Sequence, residues 1–235
     1  MLDSECGGNE SFFMNDNRLG GLALILGALS GIITLTFHPG GGEHRVTPSQ
    51  FETLIAVAIG IHAFAITGLP VSFAGALGLT RRIQSPIAVF GLIVYGFGCA
   101  SVMTAAAFSG LVTPFLLRQL VSHTASADQW HPFLHYNHAI NQAFAQIGAV
   151  AFSLAILLWS LVSLNNRTLP MGLAVYGLVS ALATVIAIAT GFLTLELHGF
   201  RVVTLTQAIW FIFAGVVLWR AVRAETRPDR LGSSV

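Results

Sequence analysis

Long stretches without a charged side chain are the feature that most limits how this chain can fold. Each is long enough to hold the roughly 20 apolar residues that a membrane-spanning helix needs. There are six, and they cover residues 19–42, 53–80, 83–117, 129–166, 168–195 and 202–219. Because a helix in a water-soluble core rarely stays uncharged over such a length, the pattern predicts an all-α, polytopic membrane protein with a bundle of six transmembrane helices.

The composition agrees with this prediction. Charged residues make up 9% of the 235 residues, against roughly 25% in an ordinary soluble domain. Apolar residues other than glycine already account for 54%. A chain of this kind cannot cover its apolar surface in water, so the lipid bilayer is its expected surrounding. The net charge of +1 and the lack of a glycine-rich phosphate loop argue against nucleic acid or nucleotides as partners.

One transmembrane domain is predicted over residues 18–223, between polar cytoplasmic tails at 1–17 and 224–235. Its spans are expected at about residues 19–37, 53–80, 86–108, 138–164, 169–195 and 202–220. An even number of spans puts both termini on one side of the membrane. That side would carry eight arginines and the other side three. The positive-inside rule therefore predicts cytoplasmic termini, and a bacterial inner membrane is the expected location.

The second and fourth spans are longer than the hydrocarbon layer requires. The second helix is predicted to begin at Pro48, within the capping box Thr47-Pro48-Ser49-Gln50, and the fourth at Pro132. Each would measure roughly 49 Å, whereas about 30 Å fits in hydrocarbon. We therefore expect both helices to project from the membrane on the outer side. The fifth helix, apolar as far as Leu195, is expected to project by a shorter length.

Histidines are the most informative polar residues. In the predicted topology all eight lie at or beyond the outer ends of the spans: His38, His44, His62, His123, His131, His135, His138 and His198. His135 and His138 share one helical face, so both imidazoles can bind one transition metal, here on the periplasmic side. His131 and His198 are the further candidate metal ligands. The alternative is that all of these are solvated histidines at the membrane boundary.

Two carboxylates are expected at the same depth as His135 and His138. Glu52 and Glu196 are candidates to complete a metal site or to act as the general base toward metal-bound water. The structural alternatives are a helix-dipole interaction for Glu52 and a surface ion pair of Glu196 with Arg201. Imidazole ligands suit zinc or copper, and mixed imidazole and carboxylate ligands also permit iron.

His62 is a separate case because it lies inside a predicted span. Polar side chains are costly in that position and are functional candidates by default. His62 is therefore a candidate cofactor-binding residue, with haem as the cofactor and His38 as the preferred second ligand. The alternative is a buried histidine that is hydrogen-bonded to Thr34, Thr194 or Gln146.

Uncharged polar residues also concentrate in the outer halves of the predicted spans. They are Thr104, Asn141, Gln146, Thr190, Thr204, Thr206 and Gln207. We expect them to line a polar vestibule that is open to the outer side and closed by the apolar cytoplasmic half. No charged residue lies at a predicted bilayer midplane, which argues against a proton pump or an ion-coupled transporter.

Two functions remain open at this stage. The first is a metal-binding membrane protein, with or without metal-dependent chemistry on a membrane-soluble substrate, whose site faces outward. The second is a non-catalytic membrane subunit, or a lipid- or quinone-binding bundle, that assembles with partner membrane proteins or as a homo-oligomer. The second function needs no metal and agrees with the short loops.

Overall fold

The structure is a computed structural model that describes residues 6–38, 48–122 and 127–225. Within these ranges the chain forms helices and short connections, with no strand. The α-helices are α1 (Cys6–Phe37), α2 (Pro48–Ile83), α3 (Pro86–Ala107), α4 (Thr113–Ser122), α5 (Ala127–Asn166), α6 (Met171–Ala189) and α7 (Leu197–Glu225). A π-helix over Phe108–Val112 joins α3 to α4.

Six helical segments are long and apolar enough to cross a membrane. They are Asn17–Phe37, Gln50–Ile83, Pro86–Ser122, Gln129–Asn166, Met171–Ala189 and Leu197–Arg220. The third segment contains α3, the π-helix and α4, because the backbone stays helical through all three. The predicted helical class and the six candidate spans are confirmed.

Helix α1 is packed closely between α2 and α7. Gly20 lies against Gly78 and Gly27 lies against Ser72, so α1 and α2 run antiparallel. On the other side of α1, Gly21 approaches the carbonyl of Gly215 in α7. A Cβ atom on these glycines would overlap the facing helix, so the small residues allow the backbones to come this close.

An aromatic cluster fills the centre of the bundle. Trp159 of α5 and Trp210 of α7 are fully buried, and their rings stack at 6.0 Å. Trp159 Nε1 donates to the carbonyl of Ala88 at 3.0 Å, and the hydroxyl of Tyr95 is hydrogen-bonded to Ser72. These bonds join α3 to α5 and α2 by pairing polar groups that an apolar interior would otherwise leave unsatisfied.

The antiparallel packing gives the bundle two chemically different ends. Asn166 Nδ2 donates to the carbonyl of Ile83 at 3.3 Å, which ties α5 to α2 at one of them. We call this the arginine-rich end, and it carries Arg18, Arg81, Arg82, Arg167 and Arg220. We call the opposite end the histidine-rich end, and it carries His38, His62, His131, His135, His138 and His198.

Two helices begin earlier than predicted. Helix α1 starts at Cys6, so the segment expected to be a loose tail is helical over 6–17. Helix α5 starts at Ala127 and contains Pro132 in its interior, which places His131 on the same helix as His135. Helix α2 does start at Pro48 as predicted. Residue Thr47 of the predicted capping box and tail residues 226–235 lie outside the described residues.

The fifth predicted span ends earlier than expected. Helix α6 stops at Ala189, and Gly191 takes a positive φ of 71°. The N–H of Leu193 then bonds back to the carbonyl of Ala187 at 2.9 Å, so the chain turns there. The expected continuation of this helix to Leu195 is therefore wrong. Gly191 is a possible helix-ending residue, but the apolar residues that follow it led to the prediction of a longer helix.

Glycine contacts between α1 and α2 give the first testable prediction. Gly75→Ala places a Cβ atom against the backbone of Leu24, which cannot rotate away, so we expect a loss of about 1–3 kcal/mol of stability. Gly60→Ala on the same helix adds a Cβ in open space and should gain up to about 1 kcal/mol from helix propensity. Thermal unfolding in detergent measures both. Equal melting temperatures for the two variants would contradict the described packing.

Candidate functional site

Two histidines meet at the histidine-rich end. His62 of α2 is only 4% exposed, and His38 directly follows the last residue of α1. Their ring centroids are 5.0 Å apart and the ring planes are inclined at 75°. The antiparallel packing of α1 on α2 brings these two positions to the same level. The structure thus places together the two histidines that the sequence paired, while their role as ligands stays a prediction.

The ring of His62 is held in one orientation by its own helix. Nδ1 lies 2.6 Å from the carbonyl oxygen of Ala58, one turn earlier. Because a carbonyl oxygen only accepts, Nδ1 carries the hydrogen and, in the neutral ring, Nε2 keeps the lone pair. Metal-binding histidines commonly have this arrangement. The expected hydrogen bonds of His62 to Thr34, Thr194 or Gln146 are not formed within the described residues.

The π-helix packs directly against His62. A Cβ atom on Gly110 would overlap the Cβ and ring of His62, so glycine is required at this contact. Single-turn π-helices often occur at functional sites because they change the direction in which the side chains of a helix face. Segment 109–121 was not predicted to contain an irregular helix. Its Ser109-Gly110 pair shortly before Pro114 was the available signal of an irregular helix.

Asn137 of α5 holds the π-helix in place. Its Nδ2 donates to Thr113 Oγ1 at 2.8 Å and lies 3.4 Å from the carbonyl of Phe108. Thr113 Oγ1 itself donates to that carbonyl at 3.0 Å, which satisfies a backbone acceptor. Asn137 is 5% exposed, and its Oδ1 is buried without a partner among the described residues. Sequence analysis missed this residue because it lies between the more conspicuous His135 and His138.

A cavity of about 110 Å³ lies toward the middle of the bundle from the histidine pair, and neither histidine is part of its lining. Thr34 and Ala65, each about one helical turn from His38 and His62, are part of its wall. Its polar lining consists of Ser30, Thr34, Ser72, Tyr95, Thr204 and Gln207. The volume exceeds what one water needs but is below the roughly 300 Å³ of small-ligand pockets. The cavity therefore suits small molecules and is too small for a quinone ring with its substituents.

Only some of the residues that were predicted to line a polar vestibule line this cavity. Thr204 and Gln207 line it, and Gln207 Nε2 donates to the carbonyl of Ala149 at 3.0 Å. The hydroxyls of Thr104, Thr190 and Thr206 bond instead to carbonyls of their own helices, and Gln146 is exposed. Depth along a helix was predictable, but the direction in which each residue faces was not.

The other candidate ligands do not converge. His131, His135 and His138 lie along α5 with exposed side chains, and Glu196 and His198 are exposed at the start of α7. Among the residues that the structure describes, no group of three or more histidine, cysteine or acidic side chains could hold a metal ion. His44 and His123 lie outside the described residues.

Both candidate carboxylates have surroundings different from those expected. Glu52 Oε2 accepts from Arg118 Nη2 at 2.8 Å, which links α2 to α4. Both side chains are at least half exposed, so this ion pair adds little to stability. Arg201 Nε donates to the carbonyl of Leu35 at 2.9 Å. The ion pair of Arg201 with Glu196, which was the structural alternative for Glu196, is not formed among the described residues.

The chain has no match among protein-family models, curated proteins or solved structures. Function is therefore inferred from the side chains themselves. The features available for that inference are the contact of His38 with the buried His62, the cavity toward the middle of the bundle and the π-helix that packs against His62.

Thr113 gives a prediction for the π-helix. Thr113→Val keeps the shape but removes the hydroxyl that accepts from Asn137, so the buried amide keeps only its weak contact with Phe108. We expect a loss of about 1–2 kcal/mol. Thr104→Val is the matched control, since that hydroxyl only bonds within its own helix, and it should change stability by less than about 0.5 kcal/mol. Thermal unfolding in detergent compares the two, and a control as unstable as Thr113→Val would rule out the special role of the hydroxyl.

Proposed function

We propose that this chain is a multi-pass membrane protein that binds a transition metal ion through His38 and His62. The observation that carries the proposal is the contact of these two rings, one of them buried and oriented by the carbonyl of Ala58. Two imidazoles bound to one tetrahedral metal at about 2.0–2.1 Å have ring centres about 5 Å apart. The ring separation of 5.0 Å permits that geometry, and it is also the separation of an ordinary edge-to-face contact between two rings.

Zinc or copper is the proposed metal, because an imidazole-only pair favours these ions over iron. Water or a small solute would fill the remaining coordination positions, as in open metal sites. Haem is disfavoured by the same contact, since two axial histidines stand on opposite faces of a porphyrin with a ring-centre separation of about 6 Å.

The proposal favours metal binding over hydrolytic chemistry. A general base would have to stand beside the metal-bound water. Glu52 is instead paired with Arg118, and Glu196 is exposed at the start of α7. The small volume of the cavity further favours a small ligand over a large membrane-soluble substrate.

The proposed site faces the outer side of the membrane. The arginine-rich end is placed in the cytoplasm by the positive-inside rule, which in a bacterial inner membrane turns the histidine-rich end toward the periplasm. Helices α2 and α5 have 36 and 40 residues and measure about 54 and 60 Å, against about 30 Å of hydrocarbon. We therefore propose that both project on the periplasmic side.

Metal titration of the purified protein tests the proposed ligands. We expect one Zn²⁺ or Cu²⁺ per chain, and we expect His62→Gln and His38→Ala each to weaken binding by at least about tenfold because one of two imidazoles is lost. Isothermal titration in detergent, with elemental analysis of the bound metal, gives both the affinity and the stoichiometry.

His135→Ala/His138→Ala is the control for this titration. Both side chains are exposed, so the double variant should bind as the unaltered protein does. Binding lost in this variant and retained in His62→Gln would move the site to α5. No binding in the unaltered protein would reject the metal altogether.

Membrane orientation is tested by cysteine labelling of a variant without Cys6 and Cys99. Phe192→Cys, in the exposed turn after α6 at the histidine-rich end, should react with an impermeant maleimide in intact cells. Arg167→Cys, in the turn before α6, should react only after the membrane is opened. The opposite labelling pattern would invert the proposed topology.

A further inference from the structure

The cavity of about 110 Å³ lies between α1, α2, α3, α5 and α7, and we call it the central cavity. Its walls belong to segments that are apolar enough to cross a membrane. On α1 the space is left open by small residues, because Gly27, Ala28 and Gly31 all line it. Close-packed protein interiors contain few voids larger than one water, so an opening of this size is unusual.

Polar side chains in the lining direct their hydrogen bonds to the protein itself. Ser30 Oγ donates to the carbonyl of Gly27 at 2.7 Å, and Ser72 is hydrogen-bonded to Tyr95. Gln207 Nε2 donates twice, and both of its acceptors belong to α5. Because these groups already have partners, they do not require a polar ligand in the central cavity.

Carbon atoms dominate the surface that faces the central cavity. Thr204 turns its Cγ2 methyl group toward Gly31, where a Cβ atom would lie 3.6 Å from it. Thr34 Oγ1 is buried within the wall. The remaining lining residues are glycine, alanine, leucine, valine and phenylalanine. A cavity of roughly 150 Å³ that is lined by leucine, isoleucine and phenylalanine stays dry and binds benzene or xenon, and the central cavity is similar in kind but smaller.

We propose that the central cavity binds one small, uncharged molecule without hydrogen-bonding groups, comparable in size to xenon or a short hydrocarbon. Such a molecule dissolves in the hydrocarbon of the membrane that surrounds the helices. Its binding restores the van der Waals contacts that atoms around a void lack. An ion would lose its hydration among neutral side chains, which is costly. The proposal is therefore independent of the metal site at His38 and His62.

Crystals of the full chain under xenon pressure test this proposal. We expect one anomalous xenon peak in the central cavity, beside the lining rings of Phe152 and Phe211. Gly31→Leu should remove this peak, because the added side chain extends from the wall at ordinary contact distance from Thr204. Gly60→Leu is the matched control: its Cβ has nothing within 4 Å and Gly60 lies outside the lining, so the peak should remain.

Leu69→Ala provides a second variant that changes the volume in the opposite direction. Leu69 lines the central cavity, so its truncation should enlarge the space and admit benzene, which the unaltered protein should exclude. Leu92→Ala is the control, since Leu92 also packs against the core but lies outside the lining, and it should not admit benzene in the central cavity.

Several results would overturn the proposal. They are an unaltered protein without xenon in the central cavity, ordered water there bonded to Gln207 or Thr34, and a xenon peak that persists in Gly31→Leu. Benzene in the central cavity of both alanine variants, or of neither, would contradict the proposed size of the ligand even if Gly31→Leu proves unstable.

Discussion

Close backbone contact of α1 with α2 and α7 is the constraint on which the rest of the structure depends. A membrane interior offers little hydrophobic force between helices, so packing must come from close approach and from polar groups that satisfy one another. Gly27 against Ser72 and Gly21 against Gly215 provide the close approach. The same antiparallel register of α1 and α2 brings His38 to His62 at the histidine-rich end.

Much of the fold could be predicted because it depends on properties that are local in sequence. Charge-free stretches determine where helices can cross a membrane, and all six candidate segments were found in this way. The predicted helix boundaries are wrong at positions where the backbone geometry of a single residue outweighs the pattern of apolar residues. Gly191 ends α6 early by taking a positive φ, whereas Pro132 is accommodated inside α5. The first error followed from giving apolar residues more weight than backbone geometry.

Less of the candidate site could be predicted, because a site depends on which helices are neighbours and which way they face. Residue counting placed His135, Glu52 and Glu196 at one depth, but equal depth did not bring them together. Glu52 contacts Arg118 of α4 instead. The pairing of His38 with His62 was predicted because both were expected near the outer boundary of the bilayer on consecutive helices. The contributions of Gly110 and Asn137 depend on the π-helix, which no periodicity in the sequence specifies.

X-ray absorption spectroscopy of the zinc-loaded protein is the most direct test of the histidine pair as a metal site. The fine structure should contain two imidazole ligands at about 2.0–2.1 Å, together with oxygen donors from water or a small solute. Substitution of His62 by glutamine should remove one imidazole contribution from the spectrum. A spectrum without imidazole scattering, or one that the substitution leaves unchanged, would contradict the proposed site.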